Sequence, residues 1–237
     1  MDWQEYNRQE KTKKYLIRFL SRDRLDQFLD TGVIWFPRSD TFGDKMECVS
    51  IDDLKARPFN IENLENKKQK HLISCWHNAT SESIAMWDTA FKKKEEQRVF
   101  AMKFVYSDLI NYISHNKFDT EVESLIDSKH YGRVRYKNLL RKELDESRMR
   151  RVAFRKEYSF KYENEFRFVA QSKNVFSEKG YALNIGNPAE LNFKIMVNPL
   201  LEQDEYNKHF SFLNLHTIGR VKYEDSALVR WLKPTQW

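Results

Sequence analysis

The stretch Phe160-Lys161-Tyr162-Glu163-Asn164-Glu165-Phe166-Arg167-Phe168-Val169-Ala170 limits more than any other what this chain can build. Side chains alternate between the two faces of a strand. Read as one strand, the segment puts Phe160, Tyr162, Asn164, Phe166 and Phe168 on one face. Lys161, Glu163, Glu165 and Arg167 fall on the other. The aromatic face belongs against a core. Two explanations compete for the charged face. In one it is a solvated surface, ion-paired to Arg or Lys of a neighbouring strand. In the other it is the wall of a cleft that does chemistry.

A core built on rings suits the rest of the chain, which has 17 Phe and 11 Tyr. Its 237 residues suffice for one large domain with a substantial interior. Six Gly and five Pro argue against a Gly-rich phosphate loop or a long flexible linker. The net charge of +6 permits an anionic partner such as nucleic acid without requiring one. Much of the excess sits in the runs KTKK (11–14), KKQK (67–70), FKKK (91–94) and RMRRVAFRK (148–156), each of which alone reads as a solvated face. Cys48 and Cys75 form no CxxC pair. The N-terminus shows no apolar signal segment, and no run approaches the ~20 apolar residues that span a bilayer. A reducing, cytoplasmic setting with free thiols and no membrane is expected. The six His show neither HExxH nor HxxxH spacing, so no structural metal is expected. Oligomeric state is left open.

Residues 1–14 read as a polar extension and 15–237 as a single α+β domain. Strands are expected at 15–21, 33–39 (closed by Pro37), 70–79, 97–106 and in GYALNIG and LNFKIMVNP. Residues 21–32 read as a helix with Ser21 as cap, Leu25, Phe28 and Leu29 as stripe, and Gly32 as terminator. Residues 52–70 read as polar helix and loop. A helix capped by Ser81 or Ser83 carries Ile84, Trp87 and Phe91; another begins at SDLINYIS, and a third follows Pro199. GRVRYKNLL suggests a strand, 139–160 a largely helical basic segment, and GRVKYEDSALV a closing extended piece. There is no βαβ rhythm. The expected architecture is α+β, with a mixed, mostly antiparallel sheet or sheets and flanking helices.

Several blocks, in order, resemble the bacterial family designated domain of unknown function 2971. They are YLIRFLSRDRLDQFLDTGVIWFPRSDTFGDKMECVS, ISCWHNATSESIAMW, FRKEYSFKYENEFRFV, IMVNP and VKYEDSAL, and the resemblance covers roughly residues 15–230. Phe42-Gly43-Asp44-Lys45-Met46-Glu47 stands where that family has a Phe-Asn-Asp-Pro-Phe-Glu-like loop. Asn and Pro are replaced; Asp44 and Glu47 remain. The family name assigns no chemistry. The chain is also similar to ADP-ribosyltransferase-type folds, whose arginine-specific members present Arg, then Ser on a later strand, then Glu-x-Glu. Arg18, Ser74 and Glu163-x-Glu165 follow that order, although Trp76 stands where a second Ser or Thr would be. This resemblance implies a split sheet and an NAD-dependent transferase or glycohydrolase, in bacterial (phage) defence or a toxin system, with a protein, nucleic-acid or small-molecule acceptor.

Cleaving a nicotinamide–ribose bond builds positive charge on the ribose carbon, and a nearby carboxylate stabilises that charge. The resemblance gives this role to Glu165, with Glu163 orienting the acceptor or serving as base. Arg18 would grip a phosphate, Ser74 would position Glu165 or the ribose, and Trp76 or Trp87 would stack on nicotinamide. Each residue also has a plainer reading. The tryptophans with Met86 read as core, Lys156 as a solvated helix residue, and Arg18 as a partly buried cation paired with Glu47, Glu163 or Glu165. A rival function is Mg²⁺-dependent phosphodiester cleavage, with Asp44, Glu47, Glu163 and Glu165 holding the ion and Lys156 steadying the transition state. A third is a non-catalytic nucleic-acid or protein-binding module. Arg167 is a further candidate on the charged face.

Overall fold

The computed structural model describes residues 14–50, 60–80, 82–91, 98–118, 126–138, 152–216 and 222–229. In chain order the first elements are β1 (Tyr15–Leu20), α1 (Arg22–Thr31), β2 (Val33–Pro37), α2 (Ile61–Lys68), β3 (His71–Ala79) and α3 (Ile84–Phe91). Then come β4 (Phe100–Val105), α4 (Tyr106–His115), β5 (Ile126–Arg133), β6 (Arg135–Lys137) and β7 (Arg155–Glu157). A 3-10 segment (Tyr158–Glu163), β8 (Glu165–Ser172), β9 (Gly180–Asn184), β10 (Phe193–Val197), α5 (Gln203–His216) and β11 (Lys222–Tyr223) complete the order. The fold is α+β with mostly antiparallel pairing. Among the described residues no helix is long and apolar enough to cross a membrane.

The chain divides into two compact units. The first takes residues 1–33, 77–112 and 184–237; the second takes 34–76 and 113–183. In the first, the strands run in the order β11-β10-β4-β1-β3, antiparallel except for the parallel β10–β11 pair. Alternation along β1 sends Tyr15, Ile17 and Phe19 into a cluster with Trp87, Ala101 and Met196. Phe104, from β4, instead stacks on Phe193 at 5.0 Å, and Phe28 of α1 meets Phe193 edge-on at 5.3 Å. Both faces of β1 are thus covered, which is why its apolar run is nearly unbroken. Gly32 ends α1 in the left-handed region, φ 67°, and its N–H donates to the Phe28 carbonyl at 2.8 Å. A Cβ there would meet the Gly186 carbonyl oxygen, so only glycine fits. Ser21 occupies the cap position, yet its side chain makes no capping bond. Ser83 does cap α3, accepting from the Met86 N–H at 3.4 Å; Ser81 lies outside the described residues.

In the second unit β3, β8 and β5 follow one another, β2 pairs with β9, and β6 runs parallel to β7. The antiparallel β5–β8 register sets Gly132 opposite Arg167 and Tyr131 opposite Phe168. Ile73, Cys48, Ala153, Phe154 and Val169 form the unit's apolar cluster.

Two expectations fail here. Residues 160–170 are not one strand. Tyr158–Glu163 coil into a 3-10 turn, Asn164 takes the left-handed conformation at φ 40°, and the strand begins at Glu165. Asn is among the few residues that adopt this conformation readily. The basic helix expected over 139–160 also fails where it is described: 152–154 is a 3-10 turn and 155–157 a strand. Residues 139–151 lie outside the described residues, as do 1–13.

Candidate functional site

The start of β8 carries the densest group of charges in the second unit. Within the strand proper the expected alternation holds. Phe166 and Phe168 meet edge-on at 5.3 Å on one face, and Glu165 and Arg167 share the other. That second face is not solvated. Arg167 is 0% exposed, under the cluster formed by Cys48, Ile73, Ala153, Phe154 and Val169. A buried guanidinium has to be neutralised and fully hydrogen-bonded. Arg167 donates from Nη1 and Nη2 to the two Glu47 oxygens at 2.5 and 3.0 Å, and from Nε to Glu165 Oε2 at 2.6 Å. Nη1 also donates to the Ala153 carbonyl at 2.6 Å. Burial opposes its charge, but Glu165 and Glu47 outweigh it and lift its pKa well above the ordinary value.

Glu47 reaches this position through a turn that Asp44 organises. The Asp44 carboxylate accepts from the Met46 N–H at 2.9 Å, and its carbonyl accepts from the Glu47 N–H at 3.1 Å. Asp44 therefore shapes the turn, while Glu47 is spent on Arg167.

On the outer side, Lys156 of β7 donates from Nζ to Glu163 Oε2 at 2.5 Å and to Glu165 Oε1 at 3.2 Å. Lys156 is a buried strand residue, not the solvated helix residue that the sequence suggested. In a 3-10 turn residues three apart eclipse. Phe160 and Glu163 thus fall on one side, and the Lys156 ammonium stands 4.7 Å from the Phe160 ring centroid. The turn replaces the expected strand and still brings both glutamates to one lysine. Tyr136, on the neighbouring β6, fixes the start of β8: its hydroxyl accepts from the Glu165 N–H at 2.7 Å. Burial pushes the Tyr136 phenol above its ordinary range.

Three carboxyls here meet two cations, and that imbalance drives their pKa values apart. Burial opposes the Glu165 anion, but Arg167 and Lys156 overcome it and hold its carboxyl at about 2. Burial also raises Glu163, and there the hydrogen bond to the Glu165 anion adds to the effect, so that Glu163 titrates at about 7. Burial disfavours the Lys156 ammonium, but the two glutamates outweigh it and hold it above the ordinary range. With one proton on Glu163, the two cations balance the Glu47 and Glu165 anions. Glu163 is the more accessible of the two dyad members, at 17% against 11% for Glu165. Glu165 is clamped from both sides. Glu163 is thus the more accessible, proton-favouring member of the pair and Glu165 the anchored anion.

The other sequence candidates fall elsewhere. Ser74 is fully buried on β3 and accepts from Trp76 Nε1 at 3.0 Å. Trp76 is 1% exposed. Trp87 is fully buried in the first unit, edge-on to Phe19 at 4.7 Å, with its Nε1 donating to Glu82 at 3.1 Å. The plainer reading of both tryptophans as core describes them. Arg18 lies half-buried on β1 of the first unit. Glu47, offered as its partner, is taken by Arg167. The rings that solvent reaches beside the dyad are Tyr158 and Tyr162. Tyr136 was missed altogether; the only hint was an aromatic between two cations in Arg135-Tyr136-Lys137. Among the described residues no group of three or more His, Cys, Asp or Glu could hold a metal ion. No family model, curated protein or solved structure matches the chain.

Proposed function

We propose that this protein acts on the N-glycosidic bond of NAD, as an ADP-ribosyltransferase-like enzyme that transfers or hydrolyses, with Glu163 as the group that meets the substrate. The observation that carries the reading is the carboxyl pair on Lys156, one member clamped between Lys156 and Arg167 with its pKa held low, the other more accessible with its pKa raised toward neutrality. The order Arg18, Ser74, Glu163-x-Glu165 supports it from the sequence side. The metal-dependent nuclease reading lacks comparable support, because both Glu47 oxygens are engaged by Arg167 and Asp44 holds a turn.

In the reaction the bond between the ribose carbon and the nicotinamide nitrogen breaks. Its electron pair leaves with the nitrogen, and neutral nicotinamide departs. The positive charge left on the ribose is favoured by the negative field of the dyad. An acceptor oxygen, from water or a hydroxyl, donates a pair to the ribose carbon, and its proton passes to ionised Glu163. Lys156 and Arg167 keep Glu165 anionic throughout. A reducing, cytoplasmic setting belongs to the same proposal and suits the free thiols of Cys48 and Cys75.

The test is nicotinamide release from NAD, with and without candidate acceptors, across pH 5 to 9. Turnover in the wild type should rise through about pH 7, the value at which Glu163 ionises. Glu163→Gln should abolish it while the protein stays folded. Glu165→Gln removes the anion that raises Glu163, so its acid limb should move to lower pH. No nicotinamide release and no thermal shift with millimolar NAD would discard the reading. An unmoved acid limb with lost turnover would transfer the role to Glu165.

A further inference from the structure

Beside the dyad, the β6–β7 ribbon and the 3-10 segment form one continuous surface, since the segment packs against both strands. Apart from Lys156, which is buried and paired with Glu163 and Glu165, residues 131–138 and 152–163 hold five cationic side chains, Arg133, Arg135, Lys137, Arg155 and Lys161, against the acid Glu157. Parallel pairing sets Arg135 beside Arg155 and Tyr136 beside Lys156. Tyr136 and Lys156 serve the dyad; on the other side of the ribbon Arg135 is exposed, while Arg155 is part-buried with its Nη2 donating to the Val49 carbonyl at 3.3 Å. On the 3-10 segment Tyr158 is 54% and Tyr162 42% exposed. Lys161 lies between them in sequence. Its Nζ donates to the Tyr158 hydroxyl at 3.2 Å and stands 5.1 Å from that ring's centroid, so a cation and a ring are presented together.

Exposed rings set among cations match the chemistry of an unpaired polynucleotide. Every base offers a π-face for an aromatic side chain, and the backbone offers phosphates to Lys and Arg. A duplex hides its base faces by stacking, and an acidic peptide has no use for two exposed rings. We propose that this surface binds single-stranded nucleic acid, with bases stacking on Tyr158 and Tyr162 and the phosphate backbone held by Lys161. The proposal goes beyond the glycosidic chemistry and stands whether or not the dyad turns over NAD.

The experiment is fluorescence anisotropy of the full chain with labelled single-stranded oligothymidine and oligoadenosine, without NAD, from 50 to 300 mM salt. Both strands should bind more tightly than a duplex of equal length. Combined Tyr158→Leu and Tyr162→Leu should weaken binding about tenfold or more and leave the salt slope unchanged. Tyr158→Phe with Tyr162→Phe keeps the rings and should retain binding. Lys161→Ala should shrink the slope by about 0.7, and Arg135→Ala, on the other side of the ribbon, should leave it unchanged. Equal affinity for duplex, displacement by polyglutamate as effective as by unlabelled strand, or Leu variants that bind like the Phe variants would overturn the proposal. Nicotinamide release by the same Leu variants is measured separately. Its loss or survival bears on the dyad and leaves the binding result intact.

Discussion

The interiors of the two units are held together by different forces. In the first, Tyr15, Ile17, Phe19, Trp87, Ala101 and Met196 meet as an apolar cluster, with the Lys103 ammonium 4.3 Å from the Tyr15 ring centroid and the Trp87 indole N–H donating to Glu82. Glu82 also accepts from the Ser226 hydroxyl at 2.6 Å and the Ala227 N–H at 2.8 Å, which secures the chain after β11. In the second, the middle of the central strand is a guanidinium. Its charge cannot be left without counter-charge, so a loop glutamate and a strand glutamate are both committed to it. An apolar cluster tolerates exchange of similar volumes. A buried ion network tolerates no single removal, because each member neutralises another.

The largest expected effect tests that contrast directly. Arg167→Met keeps much of the side-chain length but leaves Glu47 uncompensated in the interior, at a cost of about 3–5 kcal/mol by urea denaturation. Arg167→Met combined with Glu47→Met should recover part of the loss, as replacement of a whole buried pair often does. If the single variant unfolds at the wild-type midpoint, the network does not hold the second unit together.

A smaller effect should appear with pH. Glu163 holds its proton more tightly in the folded chain than at its ordinary 4.5. Its stabilising contribution is therefore complete below about 4.5 and is lost as pH rises through about 7. Glu165 has the opposite sign: its contribution is complete above 4.5 and is lost as pH falls toward about 2. Between pH 5 and 8 the melting temperature of the wild type should fall relative to that of Glu163→Gln. Parallel profiles for the two proteins would show that Glu163 titrates at an ordinary value.

The smallest effect belongs to the first unit. Met196→Leu is a volume-conserving exchange and should cost less than about 1.5 kcal/mol, with no dependence on pH between 5 and 8. A loss as large as that of Arg167→Met would mean that shape in the first unit is as exacting as charge in the second.

Much of the secondary structure could be read from the chain. Apolar runs located β1, β3 and β10, alternation located β4, and Gly32 marked the end of α1, because these signals are local. Alternation also sorted Phe166 and Phe168 from Glu165 and Arg167. It failed at Asn164, where one left-handed residue separates a 3-10 turn from a strand, and the residue types alone do not announce which Asn will do so. The acidic pair was legible as Glu163-x-Glu165. Lys156 and Glu47 were legible beside it as candidates for a metal site; that Lys156 pairs with both glutamates, that Glu47 is spent on Arg167 and that Tyr136 joins them is decided only by pairing and packing of separate elements.

The sequence by itself determined the periodicities, the aromatic supply for both interiors and the surplus of basic residues. Tertiary structure alone decided which charges are buried. Whether Arg167 faces water or an apolar cluster depends on the placement of Cys48, Ala153 and Phe154, far away along the chain. Burial and counter-charge then set the proton affinities of Glu163 and Glu165, which two identical side chains two residues apart could not reveal. Solvation energy depends on surroundings, and surroundings exist only after the chain has folded.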